Sequence, residues 1–104
     1  MTQFDVFVNP VAAARRAYPF VVAMQSDFAR HATDQIVAPL APCVSMQKTA
    51  GRLTPTVAVN GTDHAVLVPR LTAMRAADLA QRVGSIAAAR GDLLAAIDYL
   101  FFGA

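Results

Sequence analysis

The sequence predicts an α+β domain built mainly from antiparallel strands. Short alternating or wholly apolar runs, each closed by turn residues, fill most of the chain. Asn60-Gly61 sits between two valine-rich segments and reads as a hairpin turn. After about Ala87 the apolar spacing changes to that of a helix. Strands first and one helix last is the pattern of an α+β fold dominated by its sheet.

The elements follow in order. Phe4, Val6 and Val8 alternate with Asp5 and Phe7 as a first strand, and Asn9-Pro10 ends it. Ala12 to Ala17 forms a short connection. Pro19 to Gln25 is apolar on both faces, as a central strand covered on two sides would be, and Ser26-Asp27 stops it. Gln35 to Leu40 is a third strand. Pro39 lacks a donor for a ladder, which places this strand at an edge or ends it there. Pro42 to Leu53 is a connection. In the hairpin, Val57 and Val59 share a face with Val66 and Val68, and Pro69 stops the return strand. Ala76 to Arg82 is a short irregular or helical piece. From Ala87 to Phe102, Leu93, Ile97, Leu100 and Phe101 recur at helical spacing, with Arg90, Asp92 and Asp98 on the polar side. Gly103 suits the left-handed position just past the helix end.

At 104 residues the chain has room for one domain, taken as residues 1–104. Hydrophobic residues make up 56% and charged ones 15%, which excludes disorder. So apolar a small chain implies that some surface is covered by a partner, most simply a second copy. The net charge is +2, yet the cations are scattered and only Arg15-Arg16 adjoin, so a nucleic-acid groove is not expected. Such a surface suits an acidic protein segment better. Cys43 is the one cysteine, which excludes an internal disulfide, and its apolar context makes it a small packing residue. No signal core and no membrane-length apolar run is present, so a soluble cytoplasmic protein is expected.

Catalytic chemistry finds little support. His31 and His64 stand in no zinc-ligand spacing, and the packing or solvated reading outweighs a catalytic one for both. Ser26 and Asp27 are neighbours on a strand end and point apart. Glutamate is absent and the seven acidic residues, all aspartate, are dispersed, so no carboxylate pair forms; no glycine-rich phosphate loop exists. Neither a cofactor nor a metal is expected. The end of the chain, Phe101-Phe102-Gly103-Ala104, is more distinctive, because two large aromatics stand where a terminus is usually solvated. Phe101 fits the buried stripe. Phe102, about 100° further round, is free to act as a protein-binding anchor, against the alternative that both rings tuck into the core or a partner copy.

Several segments, in order, resemble the CcdB family. Gln3-Phe4-Asp5-Val6-Phe7 is similar to its first strand, and Tyr18 through Asp27, ending Gln25-Ser26-Asp27, to its second. Ile36-Val37-Ala38-Pro39-Leu40 resembles the third strand and Leu53-Thr54-Pro55-Thr56-Val57 the start of the hairpin. Ala95 to Leu100, with Gly103, looks like the last helix and tail. The resemblance implies an SH3-like barrel with a small β wing and a C-terminal helix, assembled as a two-fold homodimer. It further implies a toxin that binds the DNA gyrase A subunit and traps the cleaved-DNA state by binding alone, without being an enzyme. A CcdA-like antitoxin with a disordered C-terminal segment would neutralise it. Gyrase contacts carried over residue by residue fall on Phe102, Gly103 and Ala104, on Asp98, and on Phe28 and Ala29. The tail departs from the family's frequent Trp-Gly-Ile: losing the isoleucine side chain weakens burial by about 2 kcal/mol. Ala29 replaces a larger apolar residue, and Met74-Arg75 stands where Val-Pro is common, near the antitoxin groove. Two further readings remain: a relative that binds antitoxin without poisoning gyrase, and a MazF-type endoribonuclease using Arg30 or Arg52 with His31.

Overall fold

The computed structural model describes residues 1–27, 33–46 and 51–103. Seven strands form one antiparallel sheet: β1 Asp5–Val8, β2 Phe20–Ala23, β3 Asp34–Pro42, β4 Thr56–Val59, β5 Thr62–Val66, β6 Thr72–Arg75 and β7 Arg82–Ser85. The spatial order is β4-β5-β3-β2-β1-β7, with β6 paired to β3 as well. One helix, α1, spans Arg90–Phe102. The curled sheet and its terminal helix make the expected mainly β, SH3-like α+β fold.

β3 is the longest strand and the hub. One side of it pairs with β2 through Phe20↔Leu40 to Ala23↔Val37. Its other side is shared: Asp34 to Val37 pair with β6, and Leu40 to Pro42 with β5. This overturns the expectation that Pro39 marks an edge or a strand end. Pro39 stands in the middle of the sheet, where β3 changes partner from β6 to β5, and its carbonyl accepts the Leu67 N–H at 2.9 Å. Backbone N–H and C=O of one strand residue point the same way, so the donor that proline lacks would face this junction and no ladder bond is lost.

The pleat divides the apolar residues between two faces. Phe4, Val6, Val22, Met24, Ala38, Leu40, Val57, Val59, Val66, Val68 and Ile86 meet Leu93 and Ala96 of α1 in the main core. Phe7, Val21, Ala23 and Val37 turn to the opposite face, where Leu79 covers them. β2 is therefore buried on both sides, as its unbroken apolar run predicts.

The β4–β5 hairpin has the predicted register, with Val59 opposite Thr62, and its turn residues Asn60 and Gly61 have φ of 51° and 78°. Two successive positive φ values are what a two-residue I′ turn requires. The last third departs from expectation. The stretch read as irregular holds only a single 3-10 turn at Ala76–Asp78, and it lies between two strands, β6 and β7, that the pattern did not reveal. α1 begins at Arg90, after a 3-10 turn at Ala87–Ala89, three residues later than the periodicity suggests.

The first turn contains an unusual backbone. Phe4 is buried with φ of 70°, a conformation a bulky residue rarely holds. Its N–H donates to the Ala23 carbonyl at 2.7 Å and its carbonyl accepts from Ile86 at 2.9 Å. These two bonds fasten the chain start to the end of β2 and to the approach of α1, and they outweigh the local strain.

Candidate functional site

The site is built on α1. Asp92 in the first turn complements the positive end of the helix dipole. Arg90 anchors that end: its guanidinium lies 5.9 Å from the Phe4 ring and donates to Gln3 Oε1 at 2.9 Å. At the other end Gly103, with φ of 72°, donates its N–H to the Tyr99 carbonyl at 3.0 Å. That left-handed cap is open to glycine without strain and stops the helix one residue past Phe102.

Leu93 and Ala96 are buried in the core, and Leu94, Ile97 and Leu100 pack against it. Phe101 does not join them. It is 62% exposed, and Phe102 is 79% exposed. The expected stripe of Leu93, Ile97, Leu100 and Phe101 is thus corrected to Leu93, Ala96, Ile97 and Leu100. Leu94, seven residues before Phe101 and on nearly the same side of the helix, does pack against the core, so the exposure of Phe101 comes from its place in the last turn and not from its angle.

Asp98 and Phe102 lie one turn apart on the outward face, and both are exposed. A carboxylate and an aromatic ring at this spacing can receive one cationic side chain from a partner, the charge on the first and the flat face on the second. Tyr99 stands a further 100° round, and the Arg52 guanidinium lies 5.3 Å from its ring centre. Arg52 belongs to a 3-10 turn at Gly51–Leu53, and a cleft of about 770 Å³ opens between that turn and the helix, lined by Arg52, Pro55, Thr56, Ala95 and Tyr99 among others.

Of the residues expected to form the site, Asp98 and Phe102 share a face and Gly103 caps it. Phe28, Ala29 and Ala104 lie outside the described residues, as do Arg30 and His31. The approach to Phe28 is described: Asp27 Oδ1 accepts the Gln3 N–H at 2.8 Å, Gln25 Oε1 accepts the Ile36 N–H at 2.6 Å, and Gln3 Nε2 donates to the Met24 carbonyl at 3.1 Å. Gln-Ser-Asp therefore spends its two longer side chains on backbone groups, and Gln3 ties it to Arg90 at the start of α1. Sequence reasoning did not single out Tyr99 or pair it with Arg52. The tyrosine's position one turn before Phe102 was a usable signal, but the 47-residue separation from Arg52 was not.

The remaining chemical groups are occupied structurally. His64 is buried, meets Phe20 edge-on with ring centres 5.3 Å apart, and its Nδ1 lies 2.8 Å from the Thr62 carbonyl. A carbonyl only accepts, so Nδ1 carries the proton. Asp5 accepts from the Thr2 N–H at 2.9 Å and from Arg82 Nε at 3.2 Å. Burial raises its pKa, but these donors together outweigh it and hold the carboxyl below its ordinary value. Among the described residues no three of His, Cys, Asp and Glu gather at one point, and no helix is long and apolar enough to cross a membrane.

No curated protein matches the chain. The family model for CcdB protein matches residues 3–103. That span takes in every strand, the helix and the aromatic tail, so the chain belongs to the CcdB family, the toxins of toxin–antitoxin systems.

Proposed function

We propose that this protein acts on the DNA gyrase A subunit and traps the cleaved-DNA complex, working by binding and not by catalysis. The observation that supports the reading is the pair Asp98 and Phe102, exposed one turn apart at the end of a helix whose other face is locked into the core. An arginine of gyrase would lie against the Phe102 ring with its charge near Asp98, a contact worth about 0.5–2 kcal/mol for the ring alone. The proposed contact also takes in Gly103 and Ala104, which follow the helix in sequence, and Phe28 and Ala29, which follow Gln25-Ser26-Asp27.

The protein works as one cytoplasmic domain over residues 1–104 and as a two-fold homodimer, which brings two tails to one axis and covers part of the apolar excess. A CcdA-like antitoxin neutralises it. A cleft of about 720 Å³ lined by Arg15, Arg75, Asp78, Val11 and Met74 among others supports docking of an acidic, initially disordered segment, which would place its carboxylates by the two arginines, away from Asp78, and its apolar residues between them.

A plasmid cleavage assay tests the reading. Purified protein and gyrase should accumulate gyrase-linked linear DNA, and Phe102→Ala should need on the order of tenfold more protein for the same effect. Folded wild-type protein that leaves gyrase unaffected would overturn poisoning and leave a family member that binds antitoxin alone.

A further inference from the structure

Arg52 is exposed, and no carboxylate lies within ion-pair distance of it among the described residues. Its guanidinium nonetheless has a neighbour, the Tyr99 ring, with the central carbon 5.3 Å from the ring centre. A cation–π contact of this kind engages the charge without consuming the N–H donors that grip a carboxylate with two parallel bonds. The backbone beneath is fixed too: Gly51 adopts φ of 58°, and its carbonyl accepts the Thr54 N–H at 3.2 Å, closing the turn that carries Arg52. A cation so pre-organised loses little side-chain freedom when it binds.

Its placement sets the partner's chemistry. Tyr99 is three residues before Phe102, and its carbonyl holds the Gly103 cap, so the Arg52–Tyr99 pair sits beside the tail at the last turns of the helix. Asp98 and Phe102 occupy the adjoining face of the helix, about 100° away. Asp92, the other charge lining the cleft, makes no ion pair with Arg52. The outward surface thus presents a cation-accepting spot at Asp98 and Phe102 and, beside it, an anion-accepting spot at Arg52.

Resting on the gyrase reading above, we infer that Arg52, supported by Tyr99, is a second anchor of the same surface and receives an acidic side chain from the gyrase A segment that meets Phe102. On this reading that segment carries a basic and an acidic side chain, one for each spot. The cleft beside Tyr99 gives the acidic side chain room to reach the guanidinium edge.

The test titrates the purified full-length protein into gyrase and plasmid and reads the concentration giving half-maximal trapping, with the melting temperature measured for each variant. Arg52→Glu should raise that concentration about tenfold or more. Arg52→Lys should fall between, because it keeps the charge and loses the planar fork. Tyr99→Leu keeps the charge but removes the ring, and should weaken trapping several-fold at unchanged melting temperature; it also covers the case in which Arg52→Glu disturbs folding. Trapping by Arg52→Ala should depend less on salt than wild-type trapping does. If Phe102→Ala weakens trapping while Arg52→Glu and Tyr99→Leu match wild type, the inference is overturned and the gyrase reading stands. If wild type fails to trap, both fall. Loss of antitoxin binding by Arg52→Glu with trapping intact assigns the anchor to the antitoxin and overturns the inference likewise.

Discussion

Asp5 and Arg82 meet at 3.2 Å where β1 and β7 join, next to the irregularity at which Phe7 pairs with Arg82 and Val6 with Gly84. Asp5 is nearly fully buried while Arg82 is about half exposed. The carboxylate also holds the first turn through the Thr2 N–H and hydroxyl. This one side chain therefore ties the start of the chain, the first strand and the last strand.

Stability should fall with acid through Asp5. Its pKa in the folded state lies below the ordinary aspartate value, so between the two values the unfolded chain binds more protons. The contribution is fully present above about pH 4, near the unfolded pKa, and is lost as pH falls through the lower folded value. Denaturant titrations from neutral pH to about pH 3 should show this loss, and Asp5→Asn should flatten the acid limb. An equally steep limb in Asp5→Asn would assign the acid sensitivity elsewhere.

The hairpin turn should be intolerant at one position. Gly61 has φ of 78°, and a Cβ there would meet nothing within 4 Å, so the obstacle is backbone conformation and not space. Gly61→Val should cost about 1–2 kcal/mol, lowering the melting temperature by roughly 4–8 °C per kcal/mol. Asn60→Gly should be nearly neutral, since its φ of 51° is already one that glycine holds freely. Equal melting temperatures for Gly61→Val and wild type would show that the turn has another geometry in solution.

What was legible in the sequence follows the physics of each element. β2, the β4–β5 hairpin and α1 announce themselves through apolar runs, turn chemistry and periodicity, which are local signals. β6 and β7 do not. Thr72–Arg75 is mostly exposed and Arg82–Ser85 half so, neither has a fully buried residue, and both exist because β3 and β1 offer them backbone partners. Pro39 was misleading for the same reason: what a proline costs depends on which neighbour its nitrogen faces, and that is fixed only by the assembled sheet. At the site, Asp98 and Phe102 could be placed on one face from spacing alone, whereas the exposure of Phe101 depends on which turns of the helix the sheet covers, and that is fixed only by the assembled fold.

His64 should prove a packing residue. It fills the hairpin's inner face against Phe20 and is bonded to its own strand. His64→Ala should lose about 2–3 kcal/mol by leaving a cavity. At temperatures where the variant is folded, the protein concentration needed for half-maximal gyrase trapping should match wild type. A stable but inactive His64→Ala would instead place the imidazole at a working surface.

Leu93 and Phe102 stand on opposite sides of the same helix, and their substitutions should separate stability from activity. Leu93 is fully buried, so Leu93→Ala should cost about 2–5 kcal/mol and lower the melting temperature accordingly. Phe102 is mostly exposed, so Phe102→Ala should change stability by no more than about 0.5 kcal/mol while gyrase trapping falls. Phe101→Ala serves as the comparison, because Phe101 is also exposed but stands about 100° round from Phe102, toward the packed side of the helix. Its effect on trapping should be smaller than that of Phe102→Ala. Calorimetry and the cleavage assay on the same three preparations check all of this. A large stability loss on Phe102→Ala would mean that the ring is covered in solution, by a second copy of the chain, and a ring spent on dimerisation could not also be the anchor offered to gyrase.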